Sequence, residues 1–135
     1  MKTAVEAHRE IEAAAVPRQE VRLIRSMSPG QAVRQGDIYI HCVAGGHAHG
    51  PEAPTRQLAL GETMGSRHLA LAPCEVYVGT TLPEWCRPET FLGPLIVSKD
   101  RFVVGHPEHA HISLPGGAYQ VTHQMDARSM DRVRD

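Results

Sequence analysis

From Gln19 onward the chain proceeds in short alternating apolar and polar runs, interrupted roughly every eight to twelve residues by turn signals. That texture is the strongest constraint on the fold. A short period-2 run buries one face only by pairing with neighbouring strands in a sheet. Gln19 to Ile24 is a candidate strand or extended arm, ended by Ser28-Pro29-Gly30. Val33 to Val43 is predicted as strand with a turn at Gly36-Asp37. Residues 44–56 form a Gly- and Pro-rich loop, followed by short runs at 57–60, 68–71 and 75–78 and an irregular stretch at 79–93. Pro94–Val97 and Arg101–Val104 are predicted as a hairpin. Ile112–Leu114, a Pro115-Gly116-Gly117 turn and a last strand over Ala118–Met125 close the series.

Ahead of this region, residues 3–16 are predicted as a helix. Thr3 and Glu6 stand at capping-box spacing and Pro17 ends it. Its alanine-rich apolar face, with Val5 and Ile11, is too narrow to be stable without docking on something. The expectation is a mainly β protein, a small antiparallel barrel or sandwich with an N-terminal helical arm. The units are residues 1–17 (arm), 18–125 (β domain) and 126–135 (polar tail).

Composition narrows the function classes. Apolar residues make up 41% of the 135, with one Trp and two Phe, so Val, Leu, Ile and Ala must build the core. A formal net charge of −1 lacks the basic footprint of a dedicated nucleic-acid binder. No apolar run approaches the roughly 20 residues that span a bilayer. Three irregularly spaced cysteines, Cys42, Cys74 and Cys86, and a charged N-terminal stretch suggest a reduced, cytoplasmic setting.

Chemistry concentrates in nine histidines. The densest group is His106-Pro107-Glu108-His109-Ala110-His111. Zinc and non-haem iron sites use three protein ligands and an open position, and imidazole is the commonest metal ligand. His106 and His109, with His68 from a facing strand, make the preferred candidate set for zinc, iron or manganese. His47, His49 and His111 are secondary candidates, and Glu62 or Glu108 is a candidate fourth ligand or general base. The competing reading has the imidazoles holding their turn by hydrogen bonds to backbone. His41 and His123 are expected to be surface or hydrogen-bonded packing residues.

No nucleophile elbow and no phosphate loop are present. Cys42 adjoins His41, but adjacent strand residues point to opposite faces, so the two cannot form a dyad. Trp85 and Phe91 join Val5 and Ile11 as candidate interface residues, Trp being a frequent anchor.

Two resemblances bear on these residues. His47-Ala48-His49-Gly50-Pro51-Glu52 and Pro115-Gly116-Gly117 loosely resemble the two cupin motifs, with Gln120 where the last cupin histidine is expected. More closely, the chain resembles a group of small uncharacterised bacterial and phage-associated β-rich proteins. Their RQGD strand is Arg34-Gln35-Gly36-Asp37, and their GE-x-TGH turn has an altered counterpart in Gly61 to His68. Their H-x-EHAxIxLPxGxYxVxxQ segment runs from His106 to Gln124. That resemblance implies a compact β unit and no particular activity. The expected role is a small non-catalytic binding or assembly subunit with a protein partner or a second copy of itself. The alternative is a metal-dependent hydrolase, oxygenase or metal sensor, and a third reading is a pH-responsive contact surface.

Overall fold

A computed structural model describes residues 20–58 and 67–123. It contains ten strands: β1 (Val21–Leu23), β2 (Ala32–Gln35), β3 (Ile38–Val43), β4 (His49–Glu52), β5 (Leu69–Ala70), β6 (Glu75–Gly79), β7 (Phe91–Ser98), β8 (Phe102–Gly105), β9 (His111–Leu114) and β10 (Gly117–His123). No helix occurs among the described residues, and none there is long and apolar enough to cross a membrane. The helix expected over 3–16, with Val5 and Ile11, lies outside the described residues. So do Glu62 and the tail 126–135.

The strands form two sheets, one in the order β1-β9-β8-β5 and the other β2-β3-β10-β7-β6-β4. Side chains from both meet in one core: Ile38, Ile40, Val76, Ile96, Tyr119 and Val121 from the larger, Ala70, Phe102, Val104, Ile112 and Leu114 from the smaller. Period-2 alternation explains the division. Along β3, Ile38, Ile40 and Cys42 face this core, while Val43 on the opposite face joins Leu95 and Ala118 in a smaller cluster.

The barrel expectation is corrected, because the sheets do not close on each other. Nor is the pairing wholly antiparallel, since β1 lies parallel to β9, with Arg22 opposite Ile112. Closure would need the edges of β1 and β2 to exchange backbone hydrogen bonds. Instead the Arg22 side chain crosses the gap and Nη1 donates to the Arg34 carbonyl at 3.3 Å. A charged residue directed inward from an edge strand opposes further strand pairing there. Arg101 holds β1 in place: Nη1 donates to the carbonyls of Ile24 (2.9 Å) and Ser113 (3.1 Å).

Local boundaries also differ from expectation. The stretch 44–56 contains β4, and Phe91 opens β7 rather than sitting in irregular chain. Pro94, which has no N–H for a ladder, is accommodated in a central strand by a bulge. Leu92 to Leu95 of β7 spans the same length as Thr122 to Gln120 of β10. The buried Gln120 amide closes that bulge, donating to the carbonyls of Gly93 (2.8 Å) and Pro94 (3.1 Å).

Candidate functional site

The β2–β3 hairpin turns at Gly36, whose φ of +58° suits a residue without Cβ. The turn directs its two flanking polar residues, Gln35 and Asp37, into the interior, where they are 3% and 2% exposed. Gln35 is oriented unambiguously. Its Nε2 donates to the carbonyls of Val104 (3.1 Å) and Ala110 (2.8 Å), so its Oε1 is the acceptor for His68 Nδ1–H at 2.8 Å. The other His68 nitrogen, Nε2, lies 2.9 Å from Asp37 Oδ1. Burial first, then the nearby His106, push the His68 imidazole down to about 4, against the opposing pull of Asp37.

The histidine turn packs onto this pair. The His106 ring centroid lies 4.4 Å from that of His68 and 4.5 Å from that of His109. The preferred set of three is therefore brought together in space. Much of its hydrogen-bonding capacity holds backbone. His106 Nδ1 accepts from the N–H groups of Glu108 (2.9 Å) and His109 (3.1 Å), and His111 Nδ1 accepts from His106 N–H at 3.2 Å. The side chain thus caps the turn much as an Asx residue does. His109 Nε2 is buried and has no hydrogen-bond partner among the described residues. A Cβ on Gly36 would lie 2.9 Å from that atom, so the hairpin turn and the histidine turn fit only through the missing side chain.

The other candidates separate. His111, 1% exposed, belongs to the cluster. His47 and His49 lie in or beside β4, where His47 Nε2 bonds the Thr81 carbonyl at 2.7 Å and His49 stacks on Tyr77 at 4.2 Å. Glu108 contributes its backbone N–H to the turn, while its side chain is exposed. Among the described residues, no three His, Cys, Asp or Glu side chains are set to hold a metal ion as they stand. Gln35 and Asp37 were missed as site residues. Their signal was present in the sequence as two polar residues bracketing a turn glycine.

Trp85 is 50% exposed and Phe91 partly buried. Trp85 Nε1–H donates to His41 Nδ1 at 3.1 Å, and His41 Nε2 lies 3.0 Å from Thr122 Oγ1. Cys42 indeed faces away from His41. The thiol that approaches it is Cys86, at 3.8 Å from Nε2. The tryptophan donor fixes Nδ1 as acceptor, which leaves the proton on Nε2, and burial raises the Cys86 thiol. This is not an activated nucleophile. All three cysteines are free thiols.

Between the edges of β1 and β2, and above His109, lies an open cleft of about 330 Å³. Arg22, Arg34, Gln35, His109 and Ile112 contribute to its walls, and no acidic residue lines it among the described residues.

Fold and site together define a small open β protein with a partly buried histidine turn beneath a basic cleft. The chain belongs to a family known as a domain of unknown function (DUF8820), whose profile matches residues 34–124. That span holds the RQGD hairpin, His68 and the histidine turn, and it excludes β1. No curated protein and no solved structure matches the chain.

Proposed function

We propose that this protein is a small non-catalytic binding or assembly subunit that engages a protein partner at the cleft between β1 and β2. The carrying observation is the use to which the histidine turn is put. The Nδ1 atoms of His106 and His111 accept backbone N–H groups, and both nitrogens of His68 bond Gln35 and Asp37. Rings engaged in this way shape a surface rather than move protons for a substrate. Beside the cleft, β1 presents Val21 (38% exposed) and Leu23 (54%) on its outward face. Exposed apolar side chains around a charged recess suit a contact with another protein.

A photo-crosslinking residue at Ala110, in the cleft wall, tests this in the expressing cell. Discrete adducts from position 110 and none from the exposed Glu75 on β6 are expected. Absence of adducts, with a strictly monomeric protein by sedimentation at tens of micromolar, overturns the reading.

The convergence of His68, His106 and His109, with the unpartnered Nε2 of His109, favours a second reading as a zinc, iron or manganese site. Such a site requires His68 Nε2 to exchange Asp37 for the ion. Elemental analysis of untagged protein decides it. About one equivalent of metal, lost in His109→Ala, supports a metal centre, and less than about a tenth of an equivalent removes it.

A further inference from the structure

We infer that the cleft between β1 and β2 receives an extended, acidic segment of a partner protein, and that Arg22 is the residue that selects it. The inference rests on the binding role proposed above and names the chemistry of the occupant.

Three observations converge. First, among the described residues β1 and β2 are each the terminal strand of their sheet, so the two sheets meet the gap edge to edge. The Arg34 carbonyl shows where such an edge group points, since it accepts from across the gap. A peptide in extended conformation is the ligand whose own backbone matches two strand edges. Second, Arg22 is paired in register with the core residue Ile112, so its side chain leaves the inward face of β1 into the gap. One of its five N–H donors reaches Arg34 O at 3.3 Å, and the guanidinium is otherwise positioned to take a carboxylate in bidentate fashion. Third, the surroundings are complementary in charge. Arg34 sits on the rim, with its guanidinium 5.7 Å over the Tyr39 ring and Nε donating to the Gly36 carbonyl at 2.7 Å. The described residues of the wall include no Asp or Glu. A carboxylate entering here meets the Arg22 guanidinium and a rim of strand edges. A neutral strand would have to bury Arg22 with no counter-charge from the described wall.

The apolar residues fit the same occupant. Alternate side chains of an added strand point to opposite faces, so acidic positions facing Arg22 leave the intervening ones beside Val21 and Leu23.

The test uses the full chain and a fluorescein-labelled heptapeptide, Thr-Glu-Val-Glu-Val-Glu-Thr, read by anisotropy at low salt. Saturable binding below millimolar concentration is expected. It should weaken at least tenfold with the glutamine counterpart and at least tenfold with Arg22→Gln. Arg22 is an exposed residue, so an unchanged thermal midpoint will show that the variant remains folded. Hydrogen exchange should slow in β1 and β2 when peptide is bound. Equal affinity for the glutamine peptide, indifference to Arg22→Gln, or no saturable binding overturns the inference. A phosphoserine peptide bound more than tenfold tighter than the glutamate one overturns its carboxylate assignment. Partner adducts from position 110 that persist through any of these failures leave the binding role standing, whereas their loss removes both.

Discussion

Gly36→Ala is the substitution to which this architecture should respond most sharply. The residue carries φ +58°, where an alanine costs about 1–2 kcal/mol in backbone strain. A Cβ would also lie 2.9 Å from His109 Nε2, 3.0 Å from His109 Cδ2 and 3.2 Å from His68 Cε1. These contacts lie within a packed cluster of rings, so relief requires a shift of the histidine turn, worth about another 1–3 kcal/mol. Urea unfolding should therefore show a loss of about 2–5 kcal/mol. The two contributions separate in a double-mutant cycle. In a His109→Ala background most of the clash is absent, so Gly36→Ala should cost only the backbone part. The coupling between the two sites should be about 1–3 kcal/mol. Gly45→Ala is the control, because no atom lies within 4 Å of its Cβ position and its φ is ordinary. If Gly36→Ala costs the same in both backgrounds, the glycine serves only the hairpin and the two turns are not packed as described.

Three further outcomes follow from single contacts. His68 is held near 4 in the fold against an ordinary 6.5, so between these values the unfolded chain binds a proton that the folded chain does not. Stability should thus fall as pH drops from about 6.5 to about 4, by up to about 3 kcal/mol. His68→Gln should flatten that part of a urea-midpoint profile, and an unchanged slope would assign it elsewhere. Gln120→Leu removes the donor from the Gly93 and Pro94 carbonyls in a buried bulge and should cost about 2–3 kcal/mol by urea unfolding. A loss under about half a kcal/mol would mean that the bulge does not depend on the side chain. Trp85, the single tryptophan, donates to His41 Nδ1, so protonating His41 must break that bond. Because burial lowers His41, tryptophan emission should change with a midpoint below 6.5, and His41→Gln should abolish the change.

Strand content was legible because period-2 alternation is a local property. Ile38, Ile40 and Cys42 could be assigned to one face of a strand without knowing what covered it. The Gly36-Asp37 turn was legible for the same reason, since backbone conformation at a glycine is decided within a few residues. The density of His106, His109 and His111 marked the site. The competing hydrogen-bonded reading of that turn matches the bonds that His106 and His111 make to backbone. Strand β4 was not legible, because His49-Gly50-Pro51-Glu52 has poor strand propensity and is held by pairing with β6. Neither was the partnership of Cys86 with His41, which stand 45 positions apart.

The sequence by itself determined that this chain pairs short strands, where it turns, and that one turn is dense in imidazole. These follow from side-chain periodicity and backbone preference, which act over a few residues. Only the tertiary structure decided that the sheets stay open. Whether β1 pairs with β2 depends on the competition between edge hydrogen bonds and the inward side chain of Arg22, two segments that meet only after folding. It also decided that His68 lies between Gln35 and Asp37, because the partners of a buried polar atom are set by which strands the core brings together.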